Sequence, residues 1–286
     1  MVLFRRGIHF GSYGRVDDGP AVFGRLAEAV RIAEAAGFDA MSVPDHVHQN
    51  QTGGGPASPM FEAYTLLGAL AMRTSSVRLF SLVSPVTLRD PGLLAKAVTA
   101  LDVLSGGRAV LGVGAGWDAA ESEAYGIDFP PVGERFDRLE EALEVCRRLL
   151  TEEQATFAGK FYTVRQARNS PRPVRGTIPV LVAGGGERRT LDLVARFGDA
   201  CNVFAGDPAV VRHKFDVLER HCARVGRDPA EITKTVFAFD TSDLGAFAAS
   251  ARAWADAGAD GVSVVGPEDP GRIAGVGEVL AEVFPG

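Results

Sequence analysis

The sequence predicts an α/β protein, a (β/α)8 (TIM) barrel, and three observations favour this fold class. Short apolar segments alternate with longer segments at helical spacing, eight of each. A joint in which a helix ends at glycine and the next strand follows an aspartate occurs three times, at 36–39, 197–199 and 257–260. The 286 residues suffice for one closed barrel, so we expect a single domain over residues 1–286. A doubly wound open sheet is the alternative fold.

In the first half of the chain, apolar runs between turn residues predict strands, and apolar residues at helical spacing predict helices. Gly37 is a good C-terminal cap for the first helix, and Pro91 suits the first turn of the third helix. The run 108–113 is too short for a buried helix, so we interpret it as a strand. The predicted elements are strand 7–11, helix 20–36, strand 38–43, helix 61–73, strand 77–83, helix 91–104 and strand 108–113.

The second half begins with a long amphipathic helix over 134–150, which places Leu139, Leu143 and Cys146 on one face. Residues 151–178 then interrupt the alternation with a hairpin pattern at 156–162 and several prolines. We interpret this segment as an insertion after the fourth βα unit. The remaining predicted elements are strand 179–183, helix 187–197, strand 199–204, helix 208–225, strand 232–239, helix 243–257, strand 260–265 and helix 273–284.

Composition excludes several classes of partner. The net charge is −6 and no block of lysine and arginine is present, which argues against nucleic-acid binding. No apolar run approaches the ~20 residues of a membrane helix, and the N-terminus lacks an apolar signal core, so we expect a cytoplasmic protein without membrane partners. The three cysteines, Cys146, Cys201 and Cys222, lack metal-like spacing and are interpreted as buried thiols.

Glycine-rich turns follow two of the predicted strands. Glycine allows the backbone to approach a ligand closely, and parallel α/β folds bind ligands at the C-terminal ends of strands. Gly112, Gly114 and Gly116 are therefore candidates, although their spacing is not that of a dinucleotide-binding motif. The run 184–186 precedes a predicted helix, whose free amides could bind a phosphate, while a plain flexible loop is the alternative.

The most reactive-looking cluster is Asp45-His46-Val47-His48, which follows the second predicted strand. His46 could exchange a proton near neutral pH, and Asp45 could orient it or bind a ring edge. The alternatives are an ordinary loop histidine and a His-x-His metal pair, but further metal ligands are not evident, so we predict no metal. The chain has no Gly-x-Ser-x-Gly motif, which leaves hydrolase chemistry poorly supported.

Several blocks, taken together and in order, carry a family resemblance. They are 36–39 with 44–46, 102–108 with 116–117, 134–141, 157–162, 183–186 and 221–229. No single block is specific, but the ordered set resembles the bacterial luciferase-like monooxygenase superfamily. More narrowly, it resembles the branch that depends on the deazaflavin coenzyme F420.

This resemblance implies a (β/α)8 barrel with the cofactor at its C-terminal mouth. It also implies four sets of cofactor contacts. Asp45 and His46 would contact the ring, and a bulge at Ser81 and Leu82, often a cis peptide, would lie behind it. The turn Ala115, Gly116 and Trp117 would lie beside the ring, and Gly184, Gly185 and Gly186 would bind the phosphate. Some relatives have an acidic proton donor where this chain has Trp117, which makes sugar-phosphate dehydrogenation a doubtful activity.

We therefore predict an oxidoreductase that transfers a hydride between coenzyme F420 and a small organic substrate, with His46 as the catalytic residue. Loop 48–58 and the insertion 151–178 would shape the substrate pocket, and the resemblance implies a homodimer. One alternative is an FMN-dependent monooxygenase on the same barrel, and another is a non-catalytic barrel that binds flavin or deazaflavin. A metal-dependent hydrolase comes last.

Overall fold

The computed structural model describes residues 2–13, 21–50 and 53–286. Within these residues, parallel strand segments and helices alternate along the chain. The strands are β1 (Arg6–His9), β2 (Ala40–Val43), β3 (Arg78–Ser81), β4 (Ser84–Pro85), β5 (Leu111–Gly114), β6 (Ala155–Ala158), β7 (Thr163–Ala167), β8 (Val180–Ala183), β9 (Ala200–Phe204), β10 (Thr233–Ala238) and β11 (Gly261–Val265). The helices are α1 (Ala21–Ala35), α2 (Ala63–Ala71), α3 (Pro91–Leu104), α4 (Ala119–Ala124), α5 (Val132–Thr151), α6 (Thr190–Phe197), α7 (Pro208–Val225), α8 (Leu244–Asp256) and α9 (Ile273–Val283).

The main sheet closes on itself. Its order is β3-β2-β1-β11-β10-β9-β8-β5-β4. β3 also pairs with the residues before β5, through the amide of Leu79 on the carbonyl of Arg108 at 3.0 Å. β3 and β4 are successive segments of one barrel strand, separated by a cis peptide bond between Leu82 and Val83. Eight strand positions therefore surround the core, which confirms the predicted (β/α)8 barrel rather than the open sheet.

The repeated glycine–aspartate joint lies at the N-terminal end of the barrel. The carboxylate of Asp39 accepts the backbone N–H groups of Arg5 and Arg6 at 2.8–3.1 Å. Asp199 accepts the amide of Val180, and Asp260 accepts that of Lys234, at 2.8 and 2.7 Å. Each aspartate thus satisfies a backbone donor at the start of a neighbouring strand, where the strand ladder provides no partner.

Several predicted boundaries shift. The strand predicted at 77–83 ends at Ser81, and α6 begins at Thr190 instead of residue 187. The short helix α4 has no counterpart in the sequence prediction. The first helix was predicted from Pro20, which lies outside the described residues. No helix in the described part of the chain combines the length and apolar character needed to cross a membrane.

The insertion after the fourth βα unit is confirmed as a hairpin of β6 and β7. The carboxylate of Glu141 on α5 accepts the backbone amides of residues 160–162, at 2.7–3.1 Å, and so fixes the hairpin turn to that helix. The three cysteines are buried and free, as predicted.

Candidate active site

A cavity of about 570 Å³ opens among the loops that follow β2, β3, β5 and β8–β10. This volume is typical of pockets that hold a cofactor or small molecule. The lining residues are His46, Leu82, Val83, Pro85, Thr87, Gly114, Ala115, Gly116, Trp117, Asp118, Glu121, Ser122, Phe129, Val132, Arg135, Phe136, Ala183, Gly184, Thr190, Asn202, Phe204 and Phe237. None of the described residues of loop 48–58 or of the insertion 151–178 lines it, so the prediction that these segments shape the cavity wall is wrong.

The catalytic candidate His46 pairs with a carboxylate that the sequence analysis did not single out. His46 Nδ1 lies 2.8 Å from Glu121 Oε2, and the side chain of Glu121 is only 2% exposed. The other oxygen, Oε1, accepts the amides of Val47 and His48 at 2.6 and 3.3 Å. Glu121 lies on the unpredicted helix α4, whose N-terminus is capped by the carboxylate of Asp118. The short helix α4 thus places the carboxylate of Glu121 beside the loop that follows β2.

This pairing changes the proton affinity of both groups. Burial alone would lower the pKa of His46, but the hydrogen bond and charge of Glu121, with the charges of Asp118 and Asp45, raise it above its ordinary value. Burial would raise the pKa of Glu121, but the hydrogen bond and charge of His46 lower it below its ordinary value. The pair therefore favours a protonated imidazole beside an ionised carboxylate.

Asp45 binds Ser84 and Arg89 instead of orienting His46. The residue is 3% exposed, and its carboxylate accepts Ser84 Oγ at 2.6 Å and the Arg89 guanidinium at 2.6 and 2.7 Å. Arg89 also bonds Glu62 and lies 4.9 Å from the centre of the Tyr64 ring. The orienting partner of His46 is Glu121, so that hypothesis for Asp45 is wrong. Asp45 does not line the cavity, and its predicted contact with a cofactor ring stays a prediction.

The possible metal ligands that lie together differ from the His46 and His48 pair that was considered as an alternative from the sequence. Within the described part of the chain, the histidine and carboxylates whose ligand atoms all lie within 4.8 Å of one another are His46, Asp118 and Glu121, a group that does not include His48. His48 donates Nδ1 to the carbonyl of Gln49 at 3.0 Å instead. Both oxygens of Glu121 are already hydrogen-bonded within the protein, so the arrangement is better suited to holding a proton.

Gly112 and Gly114 make room mainly for the protein itself. A Cβ at Gly112 would overlap the carbonyl oxygen of Ser81, and one at Gly114 would lie 2.9 Å from Val83 Cγ2. These glycines therefore accommodate the break between β3 and β4, and only Gly114 also lines the cavity. The barrel strand is interrupted after Ser81, and the cis peptide bond lies between Leu82 and Val83, one residue beyond the bulge predicted at Ser81 and Leu82. Leu82 faces the cavity, whereas Ser81 is fully buried behind it.

The triple-glycine turn contributes one residue to the cavity. Gly184 lines it with φ +124°, a conformation that favours glycine. Gly185 and Gly186 do not line it, and a Cβ at Gly186 would lie 2.7 Å from Thr190 Oγ1. A turn over 187–189 separates these glycines from α6, so they do not open the helix directly. Their predicted phosphate contact stays a prediction.

The predicted turn Ala115, Gly116 and Trp117 lines the cavity in full. Trp117 is 64% exposed, and its ring lies edge-on to His46 at a centroid distance of 5.6 Å. The carbonyl of Gly116 accepts a hydrogen bond from Nη1 of Arg135, whose guanidinium lies 4.2 Å from the centre of the Phe129 ring. Sequence reasoning missed Arg135 as a site residue, although it lies in one of the blocks that carried the resemblance.

Three phenylalanines, which we call the aromatic wall, follow two adjacent strands. They are Phe204 at the end of β9, Phe237 in β10 and Phe239 just after β10. Phe204 and Phe239 are stacked at 5.8 Å, and Phe237 meets Phe239 edge-on at 5.0 Å. Phe204 and Phe237 line the cavity, yet the sequence analysis treated all three only as ordinary strand residues. In a strand with one buried face, the alternation of apolar and polar residues shows which side chains share a face. Parallel strands are apolar on both faces, so the sequence does not show which phenylalanines face the cavity.

Comparison with known proteins agrees with this architecture. The profile of the family described as luciferase-like monooxygenase matches residues 4–271. An uncharacterised protein of Mycobacterium tuberculosis is 36% identical over 186 residues, or 60% of this chain and 65% of that protein. The F420-dependent glucose-6-phosphate dehydrogenase of Kineococcus radiotolerans is 33% identical over 216 residues, or 74% of this chain and 62% of that enzyme. The matches thus span slightly less than two thirds of these relatives.

A solved structure gives the same overall shape. The F420-dependent secondary alcohol dehydrogenase in complex with an F420–acetone adduct has a TM-score of 0.82 and 18% identity to this chain. The superposition covers 99% of this chain and 100% of that chain. At this identity the likeness establishes the barrel fold.

Proposed function

The chain belongs to the luciferase-like monooxygenase family, and on this premise we propose that it is an oxidoreductase that binds coenzyme F420 and exchanges a hydride with a small organic substrate. The observation that carries the proposal is that one cavity contains both the His46–Glu121 pair and the bare main chain of Gly114, Gly116 and Gly184. A proton-exchanging group thus faces a space with room for a flat ring.

The cavity fits the cofactor in shape and chemistry. Leu82, Val83 and Pro85 form an apolar wall, against which a planar tricyclic ring can lie. Gly184 has no side chain and lines the cavity, so it leaves room for the tail of the cofactor beside the loop that precedes α6. The cavity volume of about 570 Å³ leaves part of the mouth for a substrate beside a ring.

The cofactor, when bound, supplies the carbon that gives or takes the hydride. The protein supplies the proton. Because Glu121 binds Nδ1 of His46, Nε2 remains available to the substrate oxygen. When a carbonyl carbon gains a hydride, protonated His46 donates its Nε2 proton to the oxygen, which gives an alcohol. In the reverse direction neutral His46 takes the hydroxyl proton as the carbon loses a hydride.

Parallel titrations with F420 and FMN, followed by the absorbance of each cofactor, test the proposal. We expect saturable F420 binding and weaker FMN binding. Tight FMN binding without F420 binding would favour an FMN-dependent monooxygenase on this barrel. F420 binding without any hydride transfer across a panel of alcohols and ketones would favour the non-catalytic barrel.

Replacing the proton donor should leave a folded, cofactor-binding protein that is almost inactive. His46→Ala is expected to lower turnover by about 10²–10⁴-fold, the usual contribution of a general acid or base. His48→Ala is the matched control, because His48 does not line the cavity. Unchanged turnover in His46→Ala, with F420 affinity retained, would remove His46 from the reaction.

We also propose that the protein is a cytoplasmic homodimer. Large apolar side chains remain exposed on the outer face of the barrel, at Met72, Leu93 and Leu104. Such side chains are commonly covered in oligomers. Sedimentation of the purified protein as a monomer at micromolar concentration would contradict the dimer.

A further inference from the structure

Two rings of the aromatic wall are largely exposed to solvent. Phe204 is 67% exposed and Phe239 is 62% exposed, although their rings stack on each other. Phe237 is buried beneath them and contacts the edge of the His9 ring at 5.3 Å. Large exposed rings that are held by a buried neighbour form a preorganised apolar contact surface.

The position of the wall follows from the order of the strands. In the closed sheet, four steps separate β3 from β10, and four steps separate β2 from β9. Phe237 on β10 therefore lies across the barrel mouth from the Leu82–Val83 wall, and Phe204 lies across from the strand that precedes His46. A cofactor ring placed against Leu82 and Val83 leaves the opposite side of the cavity, with its phenylalanines, for the substrate.

Positive charge is scarce on this side of the cavity. Among the described lining residues, Arg135 is the single arginine or lysine, and it bonds the carbonyl of Gly116 on the other side of the mouth. Of the cations near the triple-glycine turn, Lys214 bonds Glu187 at 2.5 Å and Arg189 bonds Asp137 at 2.6 Å. Arg188 is exposed and has no described partner, but it does not line the cavity. Recognition of a substrate phosphate normally requires free cationic donors.

We propose that the substrate is an uncharged molecule with an apolar ring, which binds against Phe204 and Phe239 and presents its oxygen to His46. This inference rests on the proposed function for the position of the cofactor. It assigns the aromatic wall to substrate selection, and it excludes sugar phosphates as the preferred substrates. Ring–ring contact with two exposed phenylalanines supplies the affinity, while Trp117 borders the approach to His46.

Binding of two probes, 2-naphthol and glucose 6-phosphate, tests this assignment by calorimetry on the F420-loaded and the cofactor-free protein. We expect saturable binding of 2-naphthol and none of glucose 6-phosphate. The double variant Phe204→Ala/Phe239→Ala should weaken 2-naphthol binding by about ten-fold, the loss expected for two ring contacts. Because both side chains are mostly exposed, the variant should fold.

Two controls make the result specific. Phe204→Leu/Phe239→Leu keeps an apolar wall and should recover most of the affinity for 2-naphthol. Val210→Ala removes an exposed apolar side chain of α7, away from the cavity, and should leave 2-naphthol binding unchanged. The F420 affinity of the double alanine variant should stay within about two-fold of the parent, because the cofactor lies against the other wall.

Several results would overturn the assignment. They are saturable binding of glucose 6-phosphate, no binding of 2-naphthol, equal 2-naphthol affinity in the parent and the double alanine variant, or a ten-fold loss of F420 affinity in that variant. A failure of the proposed function is distinguishable, because it appears as no F420 binding by the parent protein. The 2-naphthol titration of the cofactor-free protein still decides the role of the aromatic wall in that case.

Discussion

A histidine lies on each of two sides of the barrel mouth, and the pKa values of the two histidines shift in opposite directions. On the side of β2, His46 pairs with Glu121, and its pKa is raised. On the side of the aromatic wall, His9 contacts the edge of Phe237, and burial lowers its pKa to about 4, with a further contribution from His46. His9 shares a hydrogen bond with Ser42 Oγ at 3.0 Å and has no carboxylate beside it among the described contacts.

This difference shows how the molecule separates its tasks. The side of β2 concentrates charged groups that hold one another in place, and these groups favour the protonated form of His46. Beside the aromatic wall, His9 stays neutral because burial disfavours an imidazolium ion and its described contacts include no carboxylate. The groups that we propose for proton exchange and for apolar contact thus lie on different walls of one cavity. Three variants probe this separation.

The largest effect is expected from Arg89→Met, which removes the bidentate partner of Asp45. The carboxylate of Asp45 would remain buried with only Ser84 as a side-chain partner, and leaving a buried charge unpaired costs about 3–5 kcal/mol. The free energy of unfolding, measured in urea, should fall by this amount. Arg31→Met is the control, because Arg31 pairs with Glu28 on the exposed surface, where solvent screens the interaction and its loss should barely change stability. Equal losses in the two variants would mean that the network around Asp45 is not structurally important.

A smaller effect is expected from His9→Gln, and it should appear only in acid. Because the pKa of His9 in the folded protein lies near 4, below the ordinary 6.5, the unfolded chain binds a proton first. Stability is therefore lost as the pH falls through 6.5 towards 4, by about 2 kcal/mol between pH 7.5 and pH 5. Between pH 7.5 and pH 5, His9→Gln should lose about 2 kcal/mol less stability than the parent protein. If the two proteins show the same acid sensitivity, His9 titrates normally.

The smallest effect on stability is expected from Glu121→Gln. Its dependence on pH is opposite to that of the His9 effect, because the stabilising contribution is lost as the pH rises. The raised pKa of His46 stabilises the fold below pH 6.5, and this contribution disappears as the pH rises through the pKa of the folded state. Glutamine can accept the amides of Val47 and His48, but its NH2 group disfavours a proton on Nδ1 of His46. The variant should be less stable by about 1.5 kcal/mol at pH 6, and by less at pH 9.

Titration of the His46 ring by NMR checks the cause of that effect, since its pKa should fall in the variant. An unchanged pKa would show that Glu121 does not hold the proton on His46. Glu28→Gln, which changes a surface carboxylate that pairs with Arg31, is the control and should leave the titration of His46 unchanged.

Local patterns in the sequence determined the barrel itself, because a parallel sheet covered by helices requires alternating apolar runs that can be recognised without tertiary contacts. The joints at 36–39, 197–199 and 257–260 also carried structural information, since their aspartates satisfy strand amides at the base of the barrel. His46 and Gly184, which follow predicted strands, and Leu82 and the turn 115–117, which the family resemblance indicated, all line the cavity. Their contacts with a cofactor stay predictions.

Only the tertiary structure decided which side chains meet. Glu121 lies 75 residues from His46 and reaches it through a helix of six residues, too short to show a periodic pattern. Asp45 faces Arg89 instead of the cavity, and Phe204 and Phe237 join one wall because β9 and β10 are neighbours in the closed sheet. Closure of the barrel brings residues that are distant in the chain to one mouth, and no local pattern records those pairings.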